Sequence, residues 1–109
     1  DRPRTIYLAG QTALDPSGAI VGDDVVAQFE QALQNLMTAL AAAGGTGDDL
    51  TTVTIYIVDM EGYLANVRAI GKIWRRLVGT EYPAMAGIGV SRLWDEEALV
   101  EIQAIAALA

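Results

Sequence analysis

The chain contains neither cysteine nor histidine among its 109 residues. Those two absences remove disulfides, thiolate nucleophiles, Ser-His relays and any metal held by imidazole or thiolate. Proton transfer near neutral pH is left to a carboxylate, Tyr, Lys, the backbone or water. Basic residues are scarce as well: 7 Lys and Arg stand against 14 Asp and Glu, a net charge of −7. Phosphate neutralisation needs a basic patch, so nucleic acid is not an expected partner. The one basic cluster, Arg68, Lys72, Arg75 and Arg76, falls on a predicted helix and reads as its solvated face or as a contact for an anionic partner. No apolar run approaches the roughly 20 residues that span a bilayer, and LMTALAAAGG is too short, so no membrane association is expected. The absence of cysteine fits a cytoplasmic protein. The chain opens at Asp1 without Met or a signal-peptide pattern, and the expectation is that an N-terminal segment is missing.

What is present is apolar: 52% of residues are hydrophobic and 19% charged, enough for one core in one domain over residues 1–109. TIYLA (5–9) reads as a short strand closed by Gly10-Gln11, followed by a DPSG turn at 15–18 and a short extended piece at 19–21. Asp24 caps a helix whose stripe is Val25, Phe29, Leu33, Leu36, Met37 and Leu40, ended by Gly44-Gly45. TTVTIYIV (51–58) is a strand. Asp59 then caps a second helix striped by Tyr63, Val67, Ile70, Trp74 and Leu77 and stopped at Gly79. Strands at about 84–92 and 98–108 complete a β, α, β, α, β, β order, joined by a turn at Trp94-Asp95-Glu96-Glu97. This is an α/β sandwich with two helices on one face of one sheet.

The other sheet face is not simply polar. Thr52, Thr54, Tyr56 and Val58 alternate with Val53, Ile55 and Ile57, and Leu99, Glu101, Gln103 and Ile105 alternate with Val100, Ile102, Ala104 and Ala106. A half-apolar face of this size marks a subunit interface, so a homo-oligomer is expected. In EYPAMAGIGVSRL (81–93), Met85, Gly87 and Gly89 share one face of a strand. Glycines weaken a strand interior unless something approaches closely. A second chain packed on that face is the expected reason.

Glu101 stands out chemically, because a carboxylate between Val100 and Ile102 is costly unless paired or hydrogen-bonded. It is either a water-activating carboxylate at an oligomer cleft or an interface polar group. Gln103, on the same face, reads as an interface polar residue or as sharing a network with Glu101, and Asn66 as a solvent-facing or backbone-bonded amide. Gly10-Gln11 is either a plain turn or a set of backbone N–H groups facing a ligand. Arg92 reads as a surface ion pair and Trp94 as a packing residue, or as an exposed indole lining a cleft.

Gly10-Gln11 after a short strand, the DPSG turn, the AAAGG helix end, YPA…VSRL and VEIQAIA together resemble the RidA/YjgF family across nearly the whole chain. The resemblance implies a chorismate-mutase-like α/β sandwich with one mixed sheet, assembling as a homotrimer around a β-barrel core. It implies hydrolysis of imine or enamine metabolites, such as 2-aminoacrylate, in clefts between subunits, without metal or cofactor. A non-catalytic small-molecule-binding or regulatory trimer is the other function it admits. It makes Glu101 the catalytic residue that holds the attacking water. It also makes Gly10, Gln11, Asn66, Ala84 and Met85 substrate-binding positions. Three positions depart from the pattern. Met85 stands where the family keeps an arginine that clamps the substrate carboxylate, Ala9 stands for a serine, and the segment carrying an N-terminal tyrosine precedes Asp1. Arg2, Arg4 and Arg92 are the residues from which a replacement cation would have to come.

Overall fold

Asp24 begins the first helix as read from the sequence: its carboxylate accepts from the Ala27 backbone N–H at 2.8 Å, satisfying one of the free donors of the first turn. The computed structural model describes residues 3–109. Its elements are β1 (Arg4–Gln11), α1 (Val25–Ala42), a single 3₁₀ turn (Gly47–Asp49), β2 (Leu50–Ile57), α2 (Met60–Ala65), α3 (Val67–Leu77), β3 (Ala84–Gly89) and β4 (Val100–Leu108). Gly44 closes α1 with φ of 91°, a conformation that a Cβ would strain.

The four strands form one mixed sheet in the order β1-β4-β2-β3. β4 is antiparallel to both β1 and β2, while β3 runs parallel to β2 at the edge. The parallel pair needs a crossover, and α2 with α3 provides it. All helices lie on one sheet face. There Phe29, Leu33, Leu36 and Leu40 of α1 meet Val53, Ile55 and Ile57 of β2 and Val100, Ile102, Ala104 and Ala106 of β4, all buried. Each fully buried Leu, Ile or Phe contributes about 1.5–3 kcal/mol by leaving water, so this layer holds the fold. The alternation read from the sequence is therefore the observed one: Thr54, Tyr56, Glu101, Gln103 and Ile105 face the open side.

Four expectations are corrected. The second helix is two: Asn66 takes φ −126° and ψ 27°, which interrupts the helix between α2 and α3. The last two strands are shorter than read, because residues 90–99 form an irregular loop from which Val90 returns only one backbone bond, to Ile57. Trp94 in that loop is 92% exposed, which corrects the packing reading and leaves the exposed-indole one. The glycine face of β3 points the other way. Gly87 pairs with Ile55 and Gly89 with Ile57. A Cβ there would lie 3.6 Å from the Ile57 side chain and 3.4 Å from the Met60 methyl. These glycines face the helix layer and not the open sheet face, so they do not serve a chain packed on that face.

Candidate functional site

Two regions carry the residues singled out by the sequence, and they lie on opposite faces of the sheet. The first is at the β1–β4 pair. The ladder steps from Leu8↔Ala104 to Gln11↔Ile102, so β1 has one more residue than β4 across that interval. This bulge carries Ala9-Gly10. Gly10 lies beneath the Glu101 side chain, and a Cβ placed on it would collide with the Glu101 carboxylate. Glycine is required here by close approach. Glu101 itself is half-buried and lies opposite Tyr56 of β2. The Tyr56 hydroxyl donates to Gln103 Oε1 at 3.3 Å, so polar groups flank the Glu101 position on the open face. Gln11 turns its amide back to Ala9 O at 3.1 Å, which closes the bulge.

The second region is a pocket between β3, α2 and α3 on the helix side, about 190 Å³ in volume. Met85 reaches it because its pairing with Val53 puts both side chains on that face. Phe29 and Ile55 form its floor, Tyr63, Val67 and Trp74 its wall, and Tyr82 and Met85 its rim. Phe29 and Tyr63 meet edge to face at 6.0 Å, and Trp74 stacks on Tyr82 at 6.0 Å with 13° between the rings. Pro83 follows Tyr82 and holds it extended, which brings the ring over Trp74. No charged side chain lines this pocket. Burial pushes the Tyr63 phenol above its ordinary value of 10.0, so the hydroxyl stays neutral.

The remaining candidates fall around these two regions. Asn66 is exposed, and its amide donates to Gly62 O at 2.8 Å, a backbone-bonded group at the helix break. Ala84 opens β3 opposite Thr52 and is exposed on the open face. Arg4 donates to Ala43 O, and Arg92 to Leu93 O and Trp94 O with Glu96 3.6 Å away. Neither cation enters the Met85 pocket, and Arg2 lies outside the described residues. Among the described residues no three His, Cys, Asp or Glu side chains gather where a metal could be held. No described helix is long and apolar enough to cross a membrane. Within one chain Glu101 and Met85 are not brought together: β2 separates their strands and they face opposite sides.

The pocket was not legible in the sequence. Tyr63, Ile70 and Trp74 read as an ordinary core stripe, and the signal that could have exposed it was Tyr82-Pro83-Ala84-Met85. That segment sets an exposed aromatic and a flexible thioether beside the stripe.

The sequence profile of the endoribonuclease L-PSP family matches residues 1–108. The chain is 36% identical over 104 residues to the 2-iminobutanoate/2-iminopropanoate deaminase of Mus musculus, covering 94% of this chain and 72% of that protein. It is 35% identical over 102 residues to a RutC family protein of Pyrococcus horikoshii, covering 93% and 77%. Among solved structures it superposes on YyfB of the Rid family from Yersinia pestis with a TM-score of 0.86 and 38% identity, over 96% of this chain and 79% of that one. The yjgF gene product of E. coli gives a TM-score of 0.83 at 30% identity, over 96% and 81%. With a family profile that spans the sheet, the helices and both regions just described, this chain belongs to the RidA/YjgF, or endoribonuclease L-PSP, family.

Proposed function

We propose that the chain hydrolyses small imine or enamine metabolites in clefts between copies of itself, with Glu101 holding the attacking water. One observation carries this reading: a carboxylate laid over a glycine bulge that no other residue could form without displacing it. The relatives named as 2-iminobutanoate/2-iminopropanoate deaminases support the reaction class. The separation of Glu101 and Met85 within one chain is the reason for a cleft shared between copies, and the half-apolar open face is the reason for a trimer.

The chemistry is balanced without cofactor. Glu101 takes a proton from water as its oxygen bonds to the imine carbon, and the proton passes to nitrogen. The carbon–nitrogen bond of the resulting carbinolamine then breaks, giving a carbonyl compound and ammonia. An enamine first accepts a proton on carbon to become the imine. A ribonuclease reading of the family's other name has no support in a chain with net charge −7 and no histidine.

The test is hydrolysis of a panel of imines generated in solution by amine and amino-acid oxidases. Acid–base assistance of this kind contributes about 10²–10⁴-fold, so Glu101→Gln should lose most of the acceleration at an unchanged melting temperature. A rate equal to buffer for every imine, or no effect of Glu101→Gln, would remove the proposal. A second reading, binding without turnover, is favoured by the uncharged Met85 pocket and predicts ligand-induced stabilisation with no product.

A further inference from the structure

The Met85 pocket has four properties that together define an occupant. Its lining is aromatic and aliphatic, and the Arg75 guanidinium beside Gly71 is outside that lining, so an anionic group seated there would lose hydration with no counter-charge among the lining side chains. Its volume, about 190 Å³, exceeds the roughly 150 Å³ of cavities that hold a benzene ring. Its rim leaves apolar surface uncovered: Val67, Tyr82 and Met85 are 51%, 55% and 41% exposed. Finally, the indole N–H of Trp74, a residue only 3% exposed, has no hydrogen-bond partner. Buried indole donors ordinarily find one.

We infer that this pocket binds an uncharged, single-ring aromatic group, so that the substrates of the hydrolase proposed above are neutral arylalkyl imines and not 2-imino acids. This rests on the hydrolase reading only for the word substrate; the binding stands or falls by itself. A ring entering past Met85 packs between Phe29, Tyr63 and the Trp74–Tyr82 pair, and the flexible Met85 thioether adapts to its edge. The imine carbon then lies at the rim, where a carboxylate from a second copy would have to meet it. A neutral arylalkyl imine is the product of two-electron oxidation of a primary amine. The reaction that supplies it is an amine oxidation, and its hydrolysis yields an arylalkyl aldehyde and ammonia.

Phenylacetamide and phenylacetate form a matched pair of probes, equal in ring and size and differing in charge. Titration followed by Trp74 indole NMR should show phenylacetamide binding at least tenfold more tightly than phenylacetate. Gly71→Leu fills the pocket from a helical position where a new Cβ meets only the end of the Arg75 side chain, 3.3 Å away. Replacing a helical glycine also favours the helix, so this variant should fold, and it should abolish phenylacetamide binding. Met85→Arg should reverse the preference toward phenylacetate.

Equal or tighter binding of phenylacetate by the unmodified protein would overturn the inference, as would phenylacetamide binding that survives Gly71→Leu. No binding at millimolar concentration, with Gly71→Leu instead disrupting self-association, would also overturn it by making a neighbouring chain the occupant. The two proposals separate cleanly in turnover. Selective phenylacetamide binding without hydrolysis of any imine keeps the pocket and removes the hydrolase. Hydrolysis that favours 2-imino acids over the imine of phenethylamine keeps the hydrolase and removes this inference.

Discussion

The bulge beneath Glu101 and the pocket beneath Met85 are built by opposite means. The bulge is polar, shallow and open, made by one glycine and one carboxylate on strands that the whole helix layer supports from behind. The pocket is aromatic and uncharged, made between elements at the sheet's edge, where β3 has only β2 as a neighbour. One region holds a carboxylate and no cavity; the other holds a cavity and no carboxylate. Under the proposed function, chemistry and recognition are divided between the two faces of one sheet.

Substitutions can break this division in order of expected effect. Phe29→Ala should act on the fold, since Phe29 is fully buried and forms the pocket floor. A loss of about 3–5 kcal/mol is expected from the cavity left behind, measurable by urea denaturation. Glu101→Gln should do the reverse, costing about 10²-fold or more in turnover with no change in denaturation midpoint. If both variants lost stability equally, the two regions would not be independent.

Gly10→Ala sharpens the contrast. Its Cβ meets the movable end of a side chain, so the carboxylate shifts rather than the backbone. Turnover should fall on the order of tenfold to a hundredfold, the usual effect of a misplacement near 1 Å, while the melting temperature stays within a few degrees. The smallest effect is the pH dependence of the pocket. The folded-state pKa of Tyr63 is raised above 10.0. Its contribution to stability is therefore fully present below pH 10 and lost as pH rises through the folded value. Melting temperatures taken from pH 8 to 11 should fall less steeply in Tyr63→Phe.

Much of the fold was legible because its signals are local and periodic. Val53, Ile55 and Ile57 against Thr54 and Tyr56 announced a strand with two unlike faces. The Phe29, Leu33, Leu36 and Leu40 stripe, with Asp24 before it and Gly44 after, announced α1. Glu101 was visible because it interrupts an apolar alternation. The break at Asn66 was not visible, because the apolar stripe from Tyr63 to Leu77 continues across it. The turn at Trp94–Glu97 was read, but its flanks at 90–92 and 98–99 read as extended because they continue two strands without a strong breaker. The pairing of Gly10 with Glu101 joins residues far apart in sequence, and periodicity carries no information about such contacts.

The sequence by itself determined which residues alternate, where helices begin and end, and which chemistries are closed to a chain without histidine or cysteine. It also carried the family resemblance that the comparisons then established. Only the tertiary structure decided which side each alternating set faces. A period of two says that Met85, Gly87 and Gly89 share a face. Their pairing with Val53, Ile55 and Ile57 turns that face toward the helices. That register moved the glycines away from the open face and placed Met85 in an aromatic pocket, with Glu101 on the opposite side of the sheet.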